Sequence, residues 1–232
     1  MADHKKKVDI EGHGFRNLLF FLLVYIFGSP FLTPYSSLAV LAHVSLSLAL
    51  FVAVYTVQKR QQQRSIAMVL LLPMLVLYWL GIYDLISFTR PGSYMLCAVY
   101  FGLLVYSYVS QMVRSRRVTI NVLYVTFCLY LIIGLFWGSL YALLYELSPG
   151  AYGGALLDNV QGSTLHVFNY FSMVTLTTLG YGDITPQIPG AAALCQMEAI
   201  VGQFFTAVLV AWFVGMYVAE KREEKADGKA EG

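Results

Sequence analysis

The chain has 232 residues, of which 58% are hydrophobic and 12% charged, about half the charged share of an ordinary soluble domain. That composition excludes a water-soluble globular protein, and a net charge of +2 at pH 7 marks no acidic or basic partner. Cys97, Cys128 and Cys195 stand at unrelated spacings, which excludes a disulfide framework or a thiolate metal site and leaves buried thiols.

A membrane-crossing helix needs about 20 mostly apolar residues. Six stretches qualify: 16–33, 35–57, 65–88, 93–113, 120–145 and 190–219. Gly28, Ser29 and Pro30 interrupt the end of the first, and Pro73 predicts a kink in the third. Short connections at 28–36 and 89–92 make spans one and two, and three and four, antiparallel hairpins. Lys5, Lys6, Lys7 and Arg16 precede span one; Lys59, Arg60 and Arg64 lie between two and three. Arg114, Arg116 and Arg117 lie between four and five, and Lys221, Arg222, Lys225 and Lys229 follow six. Only Arg90 falls on the other side, so the positive-inside rule makes both termini cytoplasmic. The lysines at 5–7 act as a topology signal or touch anionic lipid. They do not begin a cleavable leader, because Asp9 and Glu11 follow and no small-residue cleavage site closes the first apolar run.

Within the first four spans, Asp84 is the one acid. Either it pairs with Arg90 across the short outer loop, or it serves a ligand or a proton. Tyr78, Trp79, Tyr83, Tyr94, Tyr100, Tyr106 and Tyr108 make spans three and four aromatic, for packing and interfacial anchoring or for a lipid or small-molecule pocket. His43 reads as a hydrogen-bonded core histidine. Span four carries no basic residue from Tyr94 to Tyr106.

Gly134 and Gly138 in span five form a G-x-x-x-G that lets another helix approach closely, here inside the same domain. Residues 147–162, rich in Gly, Pro and Ser, form an outer turret carrying Asp158. Ser163 or Thr164 can cap a helix over 164–176. That helix is too short to span a membrane, so it reads as re-entrant, with its partly negative C-terminal end favouring a cation. His166 near its start serves either as a capping or surface residue or as an outer pH sensor.

The run Thr177-Thr178-Leu179-Gly180-Tyr181-Gly182-Asp183 follows directly. Gly180 and Gly182 can take positive φ, which costs other residues about 1–2 kcal/mol. Alternating left- and right-handed dihedrals turn successive carbonyls to one side. Non-helical backbone at membrane depth is tolerated where it is buried in protein or lines a watery cavity. A ring of such carbonyls, with a threonine hydroxyl at its inner end, can replace the hydration shell of a potassium ion. A chance Gly-Tyr-Gly would bring neither the threonines, the closing aspartate nor the flanking spans.

Thr178-Leu179-Gly180-Tyr181-Gly182-Asp183 closely resembles the potassium-channel signature T-V-G-Y-G-D, with Leu179 in place of valine. Tyr170-Phe171-Ser172-Met173-Val174-Thr175 is similar to the pore helix of that family. The four preceding spans resemble, in position only, the voltage sensor of six-span channels, and the arginine-free fourth span implies weak or no voltage dependence. The resemblance implies that Thr178, Leu179, Gly180 and Tyr181 supply carbonyl ligands to K+, Thr178 also its hydroxyl, with Gly182 completing the filter. Tyr181 would brace the filter against the pore helix, Asp183 would stand at the outer mouth, and Thr177 would support the filter. Val174 occupies the place where some relatives carry a glutamate, so a link of that kind to Asp183 is expected to be absent. Gly202, twenty residues after Gly182, stands where the family has a gating hinge. Thr206, Val210 and Val214 would share one face that either lines the cavity and inner gate or packs against helices. Glu198, one turn above Gly202, needs a partner such as a threonine hydroxyl or its own proton, and is expected to support the filter from behind.

The expected architecture is an all-α integral membrane protein of six transmembrane helices, a re-entrant pore helix and a selectivity-filter loop. Its parts are a cytoplasmic tail at 1–14, a sensor-like four-helix domain at 15–113, a linker at 114–119, a pore domain at 120–220 and a tail at 221–232. One chain holds one loop, so three identical subunits are expected to complete a homotetramer around the pore. The expected function is passive potassium conduction across the cell membrane of a prokaryote. K+ is the permeant ion, lipid the surrounding partner, and no cofactor, catalytic group or nucleic-acid contact is expected. The alternatives are a non-selective cation channel, a potassium transporter or uptake subunit, and a non-conducting auxiliary subunit.

Overall fold

A computed structural model describes residues 2–32, 36–56, 61–82, 89–114, 119–158 and 164–230. Helices α1 (Ala2–Leu32), α2 (Ser36–Thr56), α3 (Gln61–Ile82), α4 (Thr89–Arg114) and α5 (Ile120–Leu147) come first. Strand β1 (Tyr152–Gly153), α6 (Ala155–Asp158), α7 (Leu165–Leu176), β2 (Thr185–Pro186) and α8 (Pro189–Ala230) complete the chain. Asp84, Tyr83, Ser163 and the linker residues Arg116 and Arg117 lie outside the described residues.

Among the described residues, four helices are long and apolar enough to cross a membrane: Gly14–Leu32, Thr89–Val113, Ile120–Leu147 and Pro189–Val218. Shorter apolar stretches occupy His43–Thr56 of α2 and Arg64–Leu80 of α3. Both ends of the chain are more helical than expected. α1 begins at Ala2 and runs through Pro30, so Gly28, Ser29 and Pro30 do not interrupt it. α8 continues past the apolar run to Ala230, through a stretch rich in Ala, Glu and Lys, which are strong helix formers.

The all-helical expectation misses one small feature. β1 and β2 pair antiparallel, Tyr152 opposite Pro186 and Gly153 opposite Thr185, and the Gln187 amide donates to the Ala151 carbonyl at 2.8 Å. The turret is thereby tied to the segment that follows the candidate filter.

One continuous buried cluster runs from α1 to the start of α8. α4 lies along α5, α1 packs on α2 and α5 and touches α7, and α7 packs on α5 and α8. Between lipid-exposed helices the hydrophobic effect supplies little drive, so close packing and interhelical hydrogen bonds carry the association. The Tyr100 hydroxyl donates to the Leu50 carbonyl at 2.7 Å, and the Thr56 and Tyr108 hydroxyls meet at 2.5 Å. His43 Nδ1 lies 2.6 Å from the Tyr78 hydroxyl, as a hydrogen-bonded core histidine should. Tyr78, Tyr94, Tyr100 and Tyr108 are all buried, so packing accounts for most of the aromatic stripe.

Gly134 and Gly138 face α7. A Cβ on Gly134 would run into the Met173 methyl, and one on Gly138 would come within 2.9 Å of the Asn169 Cα. The G-x-x-x-G therefore serves packing inside the subunit. Gly138→Val should lower the thermal midpoint of the purified protein by an overpacking penalty of about 1–3 kcal/mol. Gly28→Ala, whose nearest neighbour is Val24 Cγ1 at 4.0 Å, should leave the midpoint unchanged. Intrinsic fluorescence during heating in detergent checks both.

Candidate functional site

α7 delivers the chain to the candidate filter. It starts one residue after Thr164, whose carbonyl accepts from the amides of Val167 and Phe168, both at 3.1 Å. The Thr164 hydroxyl makes no capping bond, and the other expected cap, Ser163, lies outside the described residues. At the other end the Thr177 amide and hydroxyl both return to the Met173 carbonyl, at 3.1 and 2.7 Å.

The next three amides continue this return. Thr178 N donates to the Thr175 carbonyl at 2.9 Å, and Leu179 N and Gly180 N both donate to the Val174 carbonyl, at 2.9 and 3.3 Å. Carbonyls that a helix end leaves without partners are thus taken up by the loop. Among the described residues, no backbone amide donates to the carbonyls of 178–182.

Gly180 and Gly182 have φ of 58° and 77°, as their sequence pattern requires, and Thr178 has φ of 59°. Positive φ therefore recurs at every second residue, the alternation expected of carbonyls turned to one side. Thr178 joins it although positive φ at a β-branched residue costs on the order of 1–3 kcal/mol. Its hydroxyl accepts from Gln203 Nε2 at 3.2 Å. Residues 177–182 are all exposed within the single subunit, Tyr181 by 67%, so the bracing expected of Tyr181 is not made by its own chain.

At the outer end, Tyr170 of α7 donates its hydroxyl to Asp183 Oδ2 at 2.5 Å. Val174 offers no polar group for a link of the glutamate kind, and a different residue of α7 makes the contact to Asp183. A tyrosine one turn earlier supplies it. Burial, and then the bond to Asp183, push the Tyr170 phenol up to about 12, so it keeps its proton at neutral pH and remains a donor. Asp183 Oδ1 accepts from the Ile184 amide at 3.0 Å. A Cβ on Gly154, which has φ of 143°, would run into the Asp183 carbonyl, so the segment after α5 touches Asp183 through a glycine.

On α8, Glu198 is completely buried. Tyr141 of α5 donates to its Oε2, and Ser172 of α7 donates to Oε1 at 2.5 Å. Ser172 Oγ also lies 2.7 Å from the Gly134 carbonyl. The expected threonine partner is therefore a tyrosine and a serine, and one carboxyl joins α5, α7 and α8. On a third side, Asn169 Nδ2 donates to the Tyr25 hydroxyl of α1 at 3.0 Å.

Gly202 is buried, and a Cβ there would run into the Leu176 carbonyl. The glycine provides close contact with the end of α7 within an unbroken helix. Thr206, Val210 and Val214 are exposed within the subunit, and the Thr206 hydroxyl donates to the Gly202 carbonyl at 3.1 Å. Tyr170, Tyr141, Ser172, Asn169 and Gln203 were missed as site residues. The spacing of Tyr170 three and four residues before Met173 and Val174 was a usable signal, since it shares a helix face with them.

Tyr141→Phe and Ser172→Ala should each lower the thermal midpoint, by the roughly 1–3 kcal/mol cost of a buried acceptor left without its donor. The double variant should lose less than the sum, because both act through one carboxyl. Thermal unfolding of the four proteins measures this.

Residues 119–219 match the family model described as Ion channel. A comparison with curated proteins finds no match, and neither does one with solved structures. With its four helices of membrane-crossing length and composition, the chain is a membrane protein whose residues 119–219 are similar to an ion-channel domain.

Proposed function

We propose that the chain is one subunit of a homotetrameric, potassium-selective channel. The observation that carries this reading is the alternation of positive φ at Thr178, Gly180 and Gly182, with the amides of Thr178, Leu179 and Gly180 tied back to α7. In such a backbone, Thr178, Leu179, Gly180 and Tyr181 offer their carbonyls to K+, and Gly182 closes the filter. Each site exchanges hydration for carbonyl oxygens at nearly equal free energy, so ions enter readily and leave readily.

Four loops are needed to surround an ion, and a closed ring of identical subunits supplies them. The ion-channel match and the exposure of 177–182 and of most of α8 within one subunit support that arrangement. In the ring, Tyr181 finds its packing partner, Asp183 adds negative potential at the mouth, and Thr177 and Glu198 hold the filter from behind. Thr206, Val210 and Val214 line the inner cavity below Gly202. All six long helices span the cell membrane, with both termini cytoplasmic and lipid around them. The process is passive and needs no cofactor or covalent step.

Span four carries no basic residue between Tyr94 and Tyr106, whereas voltage gating needs several charges inside the field. The channel therefore opens with weak or no intrinsic voltage dependence. α1 to α4 pack on the pore module through α5 and the Tyr25–Asn169 bond.

Purified protein in lipid bilayers under exchanged potassium and sodium gradients should pass potassium and reject sodium. Equal permeation of the two ions would identify a non-selective cation channel, and potassium movement that depends on a coupled gradient of a second ion a transporter. Gly180→Ala should abolish the discrimination, because alanine resists a φ of 58° by about 1–2 kcal/mol in every subunit. Voltage steps in the same bilayers should change open probability little, and steep activation would refute the gating assignment.

A further inference from the structure

Thr178 is the one non-glycine residue of positive φ among those described. Among the described residues, one side chain from outside the loop is hydrogen-bonded to it: Gln203 Nε2, donating to Thr178 Oγ1 at 3.2 Å across 25 residues. Gln203 follows Gly202, which α8 sets directly against the Leu176 carbonyl. The contact that fixes α8 to the end of α7 therefore also fixes the Gln203 amide at the inner end of the loop. The two neighbouring threonine hydroxyls are themselves anchored by their protons. Thr206 donates to Gly202 O, and Thr177 donates to Met173 O.

A hydroxyl has one proton and two lone pairs. A cation is bound by a lone pair and repelled by the proton, and an unanchored hydroxyl offers either. With the Gln203 N–H on one lone pair, the oxygen keeps a fixed orientation and a second lone pair remains for an ion. We propose that Gln203 is a positioning residue for the innermost ion site, orienting the Thr178 hydroxyl so that oxygen, and not hydrogen, faces the permeant cation. This rests on the reading of 178–182 as a potassium filter. Four copies around the axis would set four hydroxyls alike.

Barium is a divalent cation of nearly potassium's size and reads such a site when added to bilayers on the cytoplasmic side. Gln203→Leu keeps the bulk and removes the donor. It should weaken inner barium block about tenfold, the loss of one hydrogen bond, and leave block by outer tetraethylammonium unchanged. Gln203→Met tests the same point if the leucine variant does not assemble. Thr178→Ser keeps the hydroxyl and should keep the tenfold effect of Gln203→Leu, whereas in Thr178→Ala the effect should vanish. Unchanged inner block in the Gln203 variants, or an undiminished loss in the Thr178→Ala background, would overturn the role of Gln203 and leave potassium conduction standing. A wild-type protein that passes no potassium would overturn the channel reading itself.

Discussion

Leu179 and Gly180 turn their amides back to a single carbonyl, that of Val174, while Thr178 turns its own to Thr175. This return is the constraint on which the rest of the pore module depends. A helix end and a loop that each lack partners satisfy one another, and the loop can do so only with positive φ at alternate residues. Two of those residues are glycines, for which the conformation is unstrained. The third, Thr178, is strained and stays in place because its surroundings hold it.

Those surroundings consist of contacts that hold α7. On the outer side Tyr170 grips Asp183, and the β1–β2 ladder closes the turret over it. On the inner side Glu198 joins α5, α7 and α8 through Tyr141 and Ser172. Laterally, Asn169 reaches Tyr25 of α1. Between them, Gly134, Gly138 and Gly202 remove the Cβ atoms that would push neighbouring helices away. In a lipid environment these polar bonds and close contacts matter more than apolar area, because the surrounding chains are as apolar as leucine.

The short helix and the glycine alternation were legible in the sequence because both are local. The expected helix at 164–176 and the observed Leu165–Leu176 differ by one residue. Glu198 stood out because a carboxyl in an apolar span requires partners. The identity of those partners was not legible, since Tyr141 and Ser172 lie 57 and 26 residues away and only packing brings them to it. Tyr170 was overlooked for a related reason. The link to Asp183 requires a donor at the outer end of α7, and a tyrosine reaches that end from a position one turn before the one where a glutamate would sit. Gln203 was hidden by its neighbour, because the attention drawn to Gly202 as a hinge passed over the amide beside it. The helical ends of α1 and α8 were missed because a polar composition was read as a tail, although the residues themselves favour helix.

The buried contact at Gly202 also has a mechanical side. α8 runs unbroken from residue 189 to 230, and at 1.5 Å per residue its arms on either side of Gly202 measure roughly 20 and 42 Å. Were α8 to tilt as a rigid rod about its contact with the end of α7, it would act as a lever with unequal arms. Sideways displacement of its long C-terminal arm would then reach the N-terminal arm reversed and about halved. The fulcrum itself would hardly move, and the residue next to it is the one that touches Thr178.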